Sequence, residues 1–192
     1  ITVYLCGISV VIAMLIGIPL GVFATRSQRA FRIVHAVIDT LQTLPTFVFL
    51  IPVVMLLRIG DISAIIAVVS YAVVPAIRYT AHGISGVKSK LIEAGLVSGC
   101  TKRQLLWKVR LPMATPEILL GLNQTVMMAL SMLVVTALVG TRDLGQEVFI
   151  ALSRAEPGKG IIAGLGIAAI AIITDRLLTA KAKQTRARIG HE

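Results

Sequence analysis

The chain has little of what enzymes and soluble domains depend on. Of its 192 residues only 15% are charged and 5% are aromatic, with 2 cysteines and 3 histidines. Cys6 sits in an apolar run and Cys100 in a polar one, which gives no disulfide framework and predicts two free thiols. His35, His82 and His191 are scattered without the spacing of a metal site. No Gly-x4-Gly-Lys-[Ser/Thr] occurs, and Gly158-Lys159-Gly160 lacks both the upstream glycine and the hydroxyl, so no P-loop can cradle a nucleotide here. No nucleophile–base pair can be read either. The expectation is a non-enzymatic chain with no cofactor or metal of its own. Acidic residues are scarce as well, 9 against 19 Lys and Arg, for a net charge of +10. That balance does not point to nucleic acid, because Trp107 is the only aromatic interleaved with the basic stretch after Tyr79.

What is abundant is apolar surface. Hydrophobic residues make up 56% of the chain and the mean hydropathy is +0.89, which belongs to the membrane class. The opening stretch, uncharged from Ile1 to Thr25, has no Met and no basic leader. It reads as a span of a longer protein cut at its N-terminus rather than as a signal peptide. About 20 helical residues cross a bilayer, and five candidate spans follow: 2–24, 35–57, 62–79, 117–139 and 161–178. The second is weakened by His35, Asp39 and two prolines.

Alternating the loops between two sides puts fifteen of the 19 basic residues on one side. They are Arg26, Arg29 and Arg32, then seven from Arg78 to Arg110, then five from Arg176 to Arg188. The other side carries Arg58, Arg142, Arg154 and Lys159, balanced by Asp61, Asp143, Glu147 and Glu156. Lys and Arg resist translocation, so the basic side is expected in the cytoplasm, with a loop over 80–116 and a basic tail over 179–192 there. The chain is thus expected to be a multi-pass membrane protein with its basic side in the cytoplasm.

Within the spans, Gly17-Ile18-Pro19-Leu20-Gly21 reads either as a hinge or as close helix packing. A polar cluster enters the second span, Asp39-Thr40-Leu41-Gln42-Thr43-Leu44-Pro45-Thr46-Phe47. Polar groups at depth are costly unless they face a bundle interior or a water-filled path. Gln42, Thr43, Pro45 and Phe47 are therefore candidate path residues, whereas Asp39 alone also fits an interfacial cap. Asn123, Gln124 and Ser131 of the fourth span join the path list, with interhelical bonding as the other reading of the first two. Thr115-Pro116-Glu117 has the form of a helix start, and Val148-Phe149-Ile150-Ala151-Leu152 of a short interfacial helix.

The basic loop contains one spaced pattern, Glu93-Ala94-Gly95-x3-Gly99-x9-Val109-x-Leu111-Pro112. Gly99 permits a sharp turn, and Leu105, Leu106 and Val109 are expected to offer an apolar face to a cleft. An amphipathic hairpin of this kind could also lie on the lipid surface. The pattern resembles the EAA loop of binding-protein-dependent ABC importer permeases, Glu-Ala-Ala-x3-Gly-x9-Ile-x-Leu-Pro. It departs at Gly95, where the family has Ala, and at Val109, where it has Ile. Asp39-Thr40-Leu41-Gln42-Thr43-Leu44-Pro45, Arg78-Tyr79-Thr80, the run from Asn123 to Met132, Asp143-Leu144-Gly145-Gln146-Glu147-Val148 and Thr174-Asp175-Arg176-Leu177 are similar to the glycine betaine/L-proline/choline branch of that family. The likeness extends over essentially the whole chain.

The resemblance implies an all-α protein of the bacterial cytoplasmic (inner) membrane with the type I ABC importer permease fold, about five transmembrane helices and a cytoplasmic EAA coupling loop. It implies that Glu93, Ala94, Gly95, Gly99, Leu105, Val109, Leu111 and Pro112 dock an ATPase. The expected partners are two copies of a cytoplasmic ATP-binding subunit, which would hold ATP and Mg, a second copy of this chain, an extracytoplasmic solute-binding protein and the lipid membrane. The implied cargo is a quaternary ammonium compatible solute, either glycine betaine, choline or proline, imported for osmoprotection. A permease for an amino acid or a sulfonate is the first rival. A secondary transporter or channel is the second, but it calls for paired broken helices in two repeats and for intramembrane charges, and the sequence displays no internal repeat and few such charges beyond Asp39.

Overall fold

In a computed structural model of the chain, residues 1–189 are described, with Phe47, Phe49, Val139 and Ile189 described in backbone only. Every regular element in that range is helical. Helix α1, Thr2–Ala24, has no charged residue and runs unbroken past Pro19. Helix α2, Gln28–Thr43, starts where the Ser27 hydroxyl accepts the Ala30 N–H at 3.1 Å, a serine cap.

The expected span over 35–57 is not one helix. Leu44 takes φ −72, ψ 133 and ends α2, and α3, Thr46–Leu57, begins just after Pro45. The cause is local: the Pro45 ring disfavours helical backbone at the residue before it, and proline brings no N–H to bridge the gap. Among the described residues four helices are long and apolar enough to cross a membrane, and neither α2 nor α3 is one of them.

Helix α4, Asp61–Ser85, extends past the Tyr79 boundary read from the sequence. Two short helices follow, α5 over Ser89–Val97 and α6 over Lys102–Leu105. A π-turn, Leu106–Arg110, then leads without a break into α7, Leu111–Thr136. The fourth span therefore does not start at Thr115. Pro112 lies where the π-turn passes into α7, and its missing N–H leaves a carbonyl of the preceding turn without an intrahelical donor. Pro116 lies inside the helix, with the Thr115 hydroxyl donating to the Leu111 carbonyl at 3.3 Å. Helix α8, Leu144–Ser153, is the short helix expected around Val148 to Leu152. Helix α9, Pro157–Ile189, continues well beyond 178, so most of the expected basic tail is helical.

Helix α4 packs between α1 and α7, and glycines set how closely. A Cβ on Gly17 would lie 2.4 Å from Ala76 Cβ, and one on Gly21 2.6 Å from Thr80 Cβ. On the other flank, Gly83 meets Glu117 and Ala114, and Gly121 meets Tyr79 at 2.7 Å. Small residues let backbones approach closely where lipid offers no hydrophobic drive between helices. Of the two readings of Gly17 to Gly21, the structure has close packing. Ala64, Ala67, Val68, Ala72 and Val74 fill the seam and are fully buried.

The two ends of the bundle differ. At one end the Leu144 N–H donates to the Thr2 hydroxyl at 2.9 Å, joining α8 to the start of α1. Asp143 is buried there and caps α8 through the Gln146 N–H at 3.0 Å. At the other end Arg186 of α9 meets Glu117 of α7 at 2.7 Å. This second end also receives the C-terminus of α4 and the hairpin α5–α6, and it carries the basic residues.

Candidate functional site

Two features stand out at the basic end: the hairpin and a cavity behind it. In the hairpin, α5 ends at Val97 and the chain reverses through Gly99 at φ +78, a conformation that favours glycine. The Thr101 hydroxyl then accepts the Gln104 N–H at 3.3 Å, while the Gln104 carboxamide oxygen accepts the Thr101 N–H at 2.9 Å. This reciprocal capping box fixes the start of α6. Both short helices are therefore specified by local signals on either side of one turn.

The hairpin closes on a single notch. A Cβ on Gly95 would lie 2.7 Å from Leu105 Cδ1 and 3.7 Å from Val109 Cγ2. Leu105 is buried and Val109 half-buried. Leu105 was expected on an outward apolar face; instead it fills the space left by the missing Gly95 methyl. The outward apolar residues are Leu91, Leu96, Val97 and Trp107, with Val97 89% exposed. Glu93, Ala94, Gly99 and Pro112 are exposed as well, and Leu111 is half-buried at the root of α7. The eight predicted loop residues thus lie on one compact protrusion, some outside and some inside it. The sequence reading missed Val97 and Trp107, although an exposed Trp beside charged neighbours was a visible signal.

The cavity, about 520 Å³, lies between α2, α4 and α7. Gln42 and Gln124 from the predicted path line it, together with Arg78, Tyr79 and His82 of α4 and Phe31 and Met128. Phe31 stacks on His35, ring centroids 3.9 Å apart. Arg78 Nη2 donates to Asp39 Oδ1 at 2.7 Å, so Asp39 neither caps the helix nor stands alone. In the sequence Arg78 reads as a topology charge and as part of the branch-like segment Arg78-Tyr79-Thr80, without a place on the path. Pro75, Arg78, Tyr79 and His82 recur at helical spacing, a polar stripe on an apolar span that was readable once α4 is extended past Tyr79.

The other predicted path residues are not brought into this cavity. The Asn123 amide donates to Asp175 Oδ1 at 2.7 Å, joining α7 to α9; interhelical bonding is the reading that holds for it. Ser131 is exposed and bonds back to the Met127 carbonyl. Thr43 bonds back to Thr40, and Pro45 is exposed in the α2–α3 break. The Phe47 side chain and His191 lie outside the described residues. Cys6 and Cys100 are free thiols. Among the described residues no cluster of three His, Cys, Asp or Glu side chains could hold a metal ion.

Residues 17–186 match the family described as binding-protein-dependent transport system inner membrane component. The chain belongs to this family. It is similar to the glycine betaine/proline betaine transport system permease protein ProW of Escherichia coli, 42% identical over 175 residues, 91% of this chain and 49% of that protein. It is also similar to the glycine betaine transport system permease protein OpuAB of Bacillus subtilis, 43% identical over 169 residues, 88% of this chain and 60% of that protein. The inward-facing MetNI methionine ABC transporter shares the fold, with a TM-score of 0.78 at 22% identity over 93% of this chain and 92% of that one. The chain spans about half the length of the curated relatives it matches. As an inner-membrane component with a type I importer permease fold, it carries its four long apolar helices as candidate spans.

Proposed function

We propose that this chain is the membrane-spanning, non-catalytic subunit of an ATP-driven importer for compatible solutes: the quaternary ammonium compounds glycine betaine and choline, or the secondary amine proline. Its basic end faces the cytoplasm, and its α5–α6 hairpin docks one ATP-binding subunit in an assembly that holds two copies of that subunit and two of this chain. ATP and Mg belong to that partner, and a solute-binding protein delivers cargo at the opposite end. The solute class rests on the likeness to the glycine betaine permeases of Escherichia coli and Bacillus subtilis.

The observation that carries the coupling half is the hairpin itself. It stands outside the α1–α4–α7 seam, is held by one internal notch, and presents Leu96, Val97 and Trp107 to the surroundings. A short helix with an exposed apolar face fits a groove in a partner. At its root the hairpin is continuous with α7. A push on it is therefore delivered to a span that also walls the cavity, a rigid-body route from nucleotide to path. Residues proposed for docking are Glu93, Ala94, Gly95, Gly99, Val109, Leu111 and Pro112, with Leu105 acting from inside. Of the path residues, Gln42 and Gln124 keep their place by lining the cavity, and Arg78 joins them.

The test is purification of the protein from native membranes with whatever it holds. An ATPase subunit should come with it, and reconstituted complexes should take up labelled glycine betaine only with ATP and a binding protein. A chain that purifies alone and transports betaine without ATP would sink the reading.

A further inference from the structure

Helix α9 is the least enclosed of the four long apolar helices, and its main packing partners are α7 and α8. What holds it to α7 lies on one stripe. Ala171, Asp175, Leu178, Ala182 and Arg186 recur along α9 at helical spacing. Ala182 is buried, and Ala171 and Leu178 pack against the core. The two polar members of the stripe both reach α7. The Asn123 Nδ2 group donates to Asp175 Oδ1 at 2.7 Å, and Arg186 Nη2 donates to Glu117 Oε1 at 2.7 Å. Asp175 and Arg186 stand about three turns apart, so α9 is fastened to α7 at two levels.

Apolar packing alone would hold α9 weakly, because lipid is as apolar as the helix and offers no hydrophobic drive between spans. Polar contacts at depth are different. Asn123 is only 3% exposed, and a hydrogen bond to a carboxylate strengthens where water is scarce. Glu117 is a junction of three helices. A Cβ on Gly83 of α4 would lie 2.8 Å from Glu117 Cβ, so Glu117 rests on α4 while its carboxylate reaches across to α9. The helix that carries Glu117 and Asn123 runs unbroken from Lys102 to Thr136, hairpin end included. At the opposite end α9 lies close against α8: a Cβ on Gly160 would lie 3.4 Å from Ala151 Cβ, and one on Gly166 3.5 Å from Leu144 Cδ1.

We propose that these two contacts form a coupling clasp. They make α9 travel with α7, so that a displacement of the hairpin is carried along α9 to α8 at the outer end. Glu117, Asn123, Asp175 and Arg186 are positioning residues that act through the helices they join. This deepens the import reading and rests on it.

The test is glycine betaine imported per ATP hydrolysed by the assembled complex in liposomes, with the loaded solute-binding protein outside. Arg186→Glu sets two carboxylates face to face. It should lower the ratio about fivefold, the low end of the usual coupling between sites. The Tm should stay near the parent's, because the pair is largely exposed. Adding Glu117→Arg restores opposite charges and should recover most of the ratio, a gain that misfolding cannot imitate. Asn123→Leu should lower the ratio by a similar factor in the complexes that assemble. Lys181→Glu makes the same charge change at an exposed position of α9 off the stripe and should leave the ratio unchanged. A parent-like ratio in Arg186→Glu or Asn123→Leu overturns the clasp. So does a double variant that recovers nothing, or an equal loss in Lys181→Glu. The parent complex separates the two levels: normal ATP-driven uptake beside any of these results defeats the clasp alone, and no such uptake defeats the import reading.

Discussion

The α1–α4–α7 seam and the α5–α6 hairpin are built on opposite terms. The seam buries its small residues completely and lets four glycines bring backbones together at distances no Cβ would allow. The hairpin has one such contact, Gly95 against Leu105, and leaves its largest apolar groups bare. In the seam each element is completed by its neighbours in the same chain. In the hairpin the local signals, a glycine turn and a capping box, fix the shape, but none of the described residues covers the surface. A region whose shape is specified more fully than its burial is suited to receive a partner.

The sharpest break of this contrast is in the seam. Gly17→Leu should push α1 off α4 and cost about 3 kcal/mol or more, seen as lost yield and a lowered Tm in detergent. Gly7→Leu, on the same helix with nothing within 4 Å of its Cβ, should leave both unchanged. If the two variants behave alike, the glycine account of the seam is wrong.

A smaller effect is expected at the hairpin notch. Gly95→Ala restores the family alanine but drives its methyl into Leu105. Uptake per ATP should fall several-fold while Tm moves by less than ~1 kcal/mol equivalent, because α5 is exposed and free to shift. Leu105→Val, which removes the colliding carbon, should recover much of the loss in the double variant. Additive losses in place of rescue would show that the notch does not set the hairpin.

The smallest effect belongs to the opposite end. Burial raises the Asp143 carboxyl above its ordinary range, outweighing the opposing Gln146 N–H bond. A raised pKa in the fold means the ionised form is disfavoured there. Stability is then greatest below the unfolded value and declines as pH rises through the folded one. Asp143→Asn keeps a capping oxygen and removes the charge. Its melting temperature should vary less between pH 4 and 7 than that of the parent and should match or exceed it at pH 7. A steeper pH dependence in the variant would contradict the assignment.

Much of this was legible in the residues, and what was not has physical causes. Helix α1 fell on its expected bounds because an uncharged apolar run of that length has few alternatives. The hairpin was legible because its spacing is carried by residues with local roles: Gly99 for the turn, and Pro112 for the passage from the π-turn into α7. The second span was misread because hydropathy continues through Leu44-Pro45 while the backbone cannot. The cavity was half-visible, since Gln42 and Gln124 declare themselves as polar groups in apolar runs. Arg78 did not, because a charge near the end of a span looks like a topology signal until its partner on another helix is located. The same holds for Asn123, whose acceptor Asp175 is 52 residues away. Long-range pairing of this kind leaves no periodicity to read.

The central claim, that the hairpin couples this chain to an ATPase, is tested most directly at Gly99. Its φ is +78 and a Cβ there meets nothing within 4 Å. Gly99→Asp therefore strains the turn by about 1–2 kcal/mol and places a carboxylate on the docking surface without disturbing the rest of the chain. The measurement is glycine betaine imported per ATP hydrolysed by reconstituted complexes carrying this variant. The account predicts intact insertion, a Tm near the parent's and a ratio lowered at least several-fold. A ratio equal to the parent's would contradict it.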